Sequence, residues 1–240
     1  MDLGDLSDAE REEIGAMWTF RARGEQETAA HYADLARRLA MHGAAQEMVA
    51  RVARAGEDEA RHRVLCEEMA ERAGSRVPPL SALELPRIAP HDLGEGARLC
   101  YEMVALFCVT ESINATLLLR SWERARDDAT RTTLHSLLVD EVQHSRIGWS
   151  YLSEQPAFKY ELGPRIPKML AAAVHDENFL VDPSPRESPA LAAAGLLSQH
   201  DRRQVFLEAM HDAVLPGLDL CQVRTTEARS WLTACTARWR

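Results

Sequence analysis

The feature that most narrows what this chain can fold into is a pair of pentapeptides, DEARH at residues 58–62 and DEVQH at residues 140–144. Each sits inside a long helical pattern, and in each the Glu and the His fall on the apolar stripe. Residues i and i+3 are neighbours on one helix face, so each copy aims a carboxylate and an imidazole in the same direction. The first stripe, within a helix predicted over about 45–73, reads Val52, Ala55, Glu59, His62, Cys66 and Met69. The second, over about 129–153, reads Leu134, Leu137, Leu138, Glu141, His144, Gly148 and Leu152. A carboxylate buried among such residues without compensation costs on the order of several kcal/mol. Metal ligation is the compensation that uses both residue types.

A lone Glu-x-x-His is a weak signal. With 23 Glu and 9 His in the chain, about one match is expected by accident. Glu208-Ala-Met-His211 reads as that accident. An Asp in front of both other copies, each on a strong helical pattern, makes the doubled motif specific.

Two further long helices complete the pattern. One spans about 7–41, with Gly24 as a candidate break and Ala29, Tyr32, Leu35, Ala36 and Leu39 as its inward stripe. The other spans about 95–126, with Tyr101, Val104, Phe107, Cys108, Glu111, Ala115, Leu118 and Trp122 in step. A proline-rich stretch at 75–94 lacks helical period and reads as a long crossover. Strand signals are essentially absent. Two short-loop helix pairs joined by one long connection form the layout of an all-α, ferritin-like four-helix bundle. Two more helices are expected near 165–180 and 190–220, with DPSPRESP at 182–189 as their linker. The whole chain 1–240 is expected to be one domain, its bundle core at about 20–155 and its C-terminal helical extension at 156–240.

A bundle with matching helix pairs calls for two more carboxylates. Glu111 interrupts the apolar run around VTESINATLLL. On the first helix Glu25 and Glu27 point in different directions, and Glu25 is in phase with Tyr32, Leu35 and Leu39. Glu25 and Glu111 are 86 residues apart, Glu59 and Glu141 82 apart, an internal echo suited to a pseudo-twofold site. At EQETAAHYADLARRLAMHGA (25–44), GEDEARH, VTESINATLLL and DEVQHSRIGW the chain resembles the ferritin-like di-iron carboxylate proteins, in a bacterial oxidase or oxygenase subgroup. The resemblance covers about 20–155. It implies Glu25, Glu59, His62, Glu111, Glu141 and His144 as ligands of two irons. It also implies that Asp58 and Asp140 hydrogen-bond ligand histidines, supported by Arg at the fourth motif position, which Arg61 matches and Gln143 does not.

Four carboxylates balance two divalent cations and leave a near-neutral cluster with two imidazoles, tolerable in an apolar bundle. The expected activity is therefore that of an O2-dependent oxidase or oxygenase, a non-haem di-iron enzyme with O2 as co-substrate, acting on a small organic molecule. O/N ligands also accept Mn/Fe or two Mn. Tyr32, Cys66, Phe107, Cys108 and Gly148 lie one turn from the ligands and would line a pocket, although core packing is the commoner use of such residues. Gly148 leaves room where a substrate or O2 could sit. Iron handling as a ferroxidase or storage protein, and peroxide scavenging of the catalase or peroxidase kind, are the alternative readings. The chain has no CxxC pair to carry electrons, so an external reductase or the substrate would supply them.

Composition sets the remaining expectations. A formal charge of −9 argues against a nucleic-acid partner. Apolar runs such as LAAAGLL at 191–197 are too short to span a bilayer. The first twenty residues lack a secretory pattern, and the 5 cysteines form no framework. These features point to a cytoplasmic protein, with a homodimer among the assemblies expected. His175-Asp176-Glu177 is a weak cluster because adjacent helical residues diverge, and His31, His42, His91, His135 and His200 read as surface or loop residues.

Overall fold

The computed structural model describes residues 6–78, 85, 87–174 and 188–239, and among them every regular element is helical. The long helices are α1 (Asp8–Met41), α2 (Gln46–Arg72), α3 (Glu95–Met103), α4 (Glu111–Arg124) and α5 (Asp128–Ser153). A π-helical segment, Val104–Thr110, joins α3 to α4 without a break. Shorter helices follow: α6 (Lys159–Leu162), α7 (Ile166–Ala173), α8 (Pro189–Ala193), α9 (Gln199–Ala209), α10 (Leu215–Leu220) and α11 (Thr226–Ala237). A second π-helical segment, Met210–Val214, links α9 to α10.

Local chemistry explains the ends of α1. Ser7 and Glu10 form a capping box, each side chain meeting the other's backbone N–H at 3.3 and 3.0 Å, which satisfies two otherwise orphaned donors. At the far end Gly43 takes φ +79° and turns the chain into α2. Gly24 breaks nothing: α1 runs through it unbroken. Trp18, Ala22, Glu25, Tyr32, Leu35 and Leu39 are all buried along one face, and that packing outweighs one glycine's propensity.

By contacts the chain divides into two compact units, Met1–Arg87 with Leu117–Asp140 and Ser184–Asp201, and Ile88–Thr116 with Glu141–Pro183 and Arg202–Arg240. The first unit contains the α1–α2 hairpin, the end of α4, the start of α5, and α8. Its core joins Ile14, Trp18 and Ala22 to Cys66, Met69, Leu118, Leu134, Leu137 and Leu191. Burying each of the larger of these contributes roughly 1.5–3 kcal/mol. Asp127 starts α5 by accepting from the Thr130 N–H at 2.8 Å. Arg124 grips Asp201 through both guanidinium nitrogens, one at 2.7 Å, which ties α4 to the start of α9.

The second unit contains α3, the first π-helical segment, the start of α4, the end of α5 and most of the C-terminal helices. The expected pair of late helices is too simple. The region near 190–220 is interrupted by a turn and a π-helical segment, and α11 lies beyond it. α7 packs on both α11 and the first π-helical segment. The stretch Glu95–Arg124 is long and apolar enough to cross a membrane by length and composition, although no uninterrupted apolar run in it would suffice. Of its most apolar window 61% is buried, as in a core helix.

Gly148 corrects an expectation. A Cβ there would lie 2.7 Å from Phe107 Cβ, 2.8 Å from Cys108 Sγ and 2.9 Å from the Cys108 backbone nitrogen. The missing side chain is thus where α5 meets the π-helical segment, and protein already fills the space foreseen for substrate. Gly148→Ala is expected to cost about 1–3 kcal/mol by overpacking, seen as a melting temperature lower by about 3–10 °C. Exposed Gly24, with nothing within 4 Å of its would-be Cβ, is the contrasting site, and Gly24→Ala is expected to stabilise by about 0.5–1 kcal/mol. Thermal melts of the two variants check both signs.

Candidate metal centre

In the first unit α1 supplies Glu25, α2 supplies Glu59 and His62, and α5 supplies Asp140. Glu25, Glu59 and His62 are 6%, 1% and 0% exposed, whereas Glu27, the alternative on α1, is exposed. His62 Nδ1 lies 3.3 Å from Glu59 Oε2 and 3.8 Å from Glu25 Oε2. Its other nitrogen, Nε2, lies 3.1 Å from Asp140 Oδ2. A carboxylate accepts and cannot donate, so Asp140 favours the proton on Nε2 and leaves the Nδ1 lone pair facing Glu25 and Glu59. Arg61 donates to Asp58 Oδ1 and to the same Asp140 Oδ2, both at 2.7 Å. Asp58 lies 3.6 Å from Arg54 as well. The Asp58 hydrogen bond, against burial and with Asp140 adding to it, holds the Arg61 guanidinium above its usual pKa.

In the second unit Glu111 opens α4 directly after the π-helical segment, and it is 1% exposed. Glu141 and His144 lie on α5, 0% and 2% exposed, with Glu141 Oε2 at 2.8 Å from His144 Nδ1. The π-helical segment is invisible to a 3.6-residue reading, because one wider turn keeps the same composition. Thr110 marks it by donating its hydroxyl to Ala105 O at 3.0 Å, a separation of five residues. The fourth position of this motif copy behaves differently from Arg61. Gln143 is exposed and accepts from Arg146 on its own helix at 3.2 Å.

These side chains form a cluster that could hold a metal ion. One donor atom from each of Glu25, Glu59, His62 and Glu141 lies within 4.8 Å of the others. The same is true of Glu59, Glu111, Glu141 and His144. Glu59 and Glu141 belong to both groups, and all six residues are buried. The donor set, carboxylate oxygen with imidazole nitrogen, suits Fe, Mn or Zn better than a soft ion. Four carboxylates at such separations repel one another in a low-dielectric interior, and cations are what such a cluster fits.

The other residues singled out in the sequence fall outside this cluster. Tyr32, Cys66, Phe107 and Cys108 are fully buried packing residues. Burial raises the Cys108 thiol well above its usual pKa and pushes the Cys100 thiol up to about 12, so both stay protonated. His42, His91, His135 and His200 are exposed. His31 is half-buried, its pKa lowered by burial against the opposing charge of Asp34. Glu208 sits on α9 while His211 lies exposed on the second π-helical segment. His175-Asp176-Glu177 lies outside the described residues. No protein-family model matches the chain, and no curated protein matches its sequence.

Cation binding to the cluster has a direct thermodynamic signature. An ion at about 100 times its dissociation constant stabilises the fold by about 2.7 kcal/mol, worth about 5–10 °C in a domain of this size. Chelator-stripped protein is expected to melt lower by that amount than the same protein with Mn2+. The Glu59→Gln/Glu141→Gln double variant is expected to melt higher than stripped wild type and to ignore the ion. Differential scanning calorimetry on the four samples decides the matter, and a wild-type protein indifferent to chelation contradicts it.

Proposed function

We propose that the chain is an O2-activating dinuclear metal enzyme on a ferritin-like four-helix bundle, an oxidase or oxygenase acting on a small organic substrate. The observation that carries this reading is that two buried ligand groups share Glu59 and Glu141. Two groups with two carboxylates in common suit a pair of adjacent cations better than one. Glu25 and His62 would serve one position, Glu111 and His144 the other, and Glu59 and Glu141 would lie between them. Two iron ions held there would supply the electrons with which O2 is reduced, and Mn/Fe or two Mn would satisfy the same donors.

The chain's own residues define the surroundings of that chemistry. Asp140 holds the proton on His62 Nε2 and so keeps Nδ1 available as a donor. The fully buried side chains of Tyr32 on α1, and of Phe107 and Cys108 beside Gly148, exclude water around the ligand-bearing helices. The chain has no CxxC pair, which favours an external reductase or the substrate itself as the electron source. The doubled carboxylate–imidazole donor set favours oxidation chemistry over iron storage.

Metal analysis and oxygen consumption test this reading together. Protein reconstituted with Fe2+ under anaerobic conditions is expected to hold two equivalents and to consume O2 on mixing. Glu141→Ala is expected to hold one equivalent or none and to reduce O2 consumption to background. Mineral growth far beyond two irons would favour iron storage, and O2 release on adding peroxide would favour dismutation. Either result would displace the oxygenase reading.

A further inference from the structure

The seam between α1 and α2 is closed differently along its length. The two helices run antiparallel, since Glu25 lies opposite His62 and Tyr32 opposite Gly56. At Gly56 they approach closely: a Cβ there would lie 3.4 Å from Ala29 O and 3.4 Å from Tyr32 Cβ. In the other direction Trp18, Ala22, Cys66 and Met69 join one buried apolar core. Between these two seals stand Gln26 and Arg63, one residue past Glu25 and one past His62. A step of one residue turns a side chain by about 100°, and on antiparallel helices the two turns carry Gln26 and Arg63 to the same side of the seam. They meet there, Arg63 Nη1 donating to Gln26 Oε1 at 3.4 Å, the long end for such a bond. Arg63 Nε also lies 3.7 Å from Glu67 Oε1. Next to the pair is Glu25, at 6% the most exposed of the six clustered residues. The other flank of His62 is occupied by Asp140.

We propose that the outer seam between α1 and α2 is the route by which divalent cations reach and leave the Glu25–His62 position, and that the Arg63 guanidinium, tethered by Gln26, is its gate. This rests on cation binding by the cluster as read above. A cation passing the seam meets the guanidinium more closely than one at rest between Glu25 and His62. The positive charge therefore raises the barrier to passage more than it weakens binding. The tether is one long hydrogen bond between half-buried side chains, so the gate opens by rotation of a side chain, with no change of backbone. Charge placed along an approach path changes association rates by about 10–1000-fold.

Stopped-flow mixing of the metal-free full-length protein with Co2+, followed by visible absorption, measures uptake, and excess EDTA added to the loaded protein measures release. Arg63→Gln is expected to raise both rates by about 10-fold or more for at least one bound equivalent, leaving its dissociation constant within a few-fold. Gln26→Ala, which frees the guanidinium but keeps its charge, is expected to raise both by a smaller factor. Arg37→Gln removes the same charge from an exposed pair with Asp34 on α1 and is expected to change neither rate. The Arg63–Glu67 pair is partly exposed, so the metal-free variants are expected to melt close to the wild type. Rates that Arg63→Gln shifts no more than Arg37→Gln does overturn the gate while sparing the metal centre. Faster release with unchanged uptake also overturns it, because Arg63 would then be supporting the bound ion. A wild type that binds no Co2+ overturns the gate and the metal centre together.

Discussion

Carboxylates brought together away from water repel one another, and this repulsion is the constraint on which the rest of the structure depends. At 4 Å two like charges oppose each other by about 4 kcal/mol at an effective dielectric of 20. Glu59, Glu111 and Glu141 bring donor atoms within 4.8 Å of one another, and Glu25 is as close to Glu59 and Glu141. A fold a few kcal/mol from unfolding cannot leave several such contacts uncompensated. Protonation, hydrogen bonding or bound cations must answer them. Donor atoms that converge from different helices on shared carboxylates favour cations, since a cation relieves several repulsions at once.

The same stripes that carry these charges also carry the core. On α2, Val52, Ala55, Cys66 and Met69 flank Glu59 and His62 on one buried face. On α5, Leu134, Leu137 and Leu152 share the buried side with Glu141 and His144. Packing the apolar residues therefore aims the polar ones inward without further adjustment. The surroundings of His62 and of Glu111 are then set by different means. His62 is held through Asp140 and Arg61, by hydrogen bonds. The surroundings of Glu111 are set by backbone geometry, a π-helical segment that ends at Thr110 and packs against Gly148.

Much of this was legible in the sequence because a helical period of 3.6 residues was enough to read it. The long helices, the inward phase of Glu59, His62, Glu111, Glu141 and His144, and the burial of Glu25 but not Glu27 all follow from spacing and stripe. What spacing could not supply are features that depend on a neighbour. The π-helical segment has the composition of an ordinary apolar helix. Gly148 looks like vacant space until Phe107 and Cys108 are placed beside it. Spacing alone leaves Arg61 a solvated arginine; only the family resemblance marks it, and its partner Asp140, 79 residues away, comes from the fold. The helices after α7 are hard to read for a related reason, since short helices carry weak periodicity of their own.

Anomalous X-ray scattering at the iron edge, from crystals grown anaerobically with Fe2+, tests the central claim most directly. The account predicts two peaks about 3.5–4 Å apart, both in contact with Glu59 and Glu141, one also with His62 and the other also with His144. A single peak, or two peaks on the protein surface with the six buried side chains hydrogen-bonded among themselves, would contradict it.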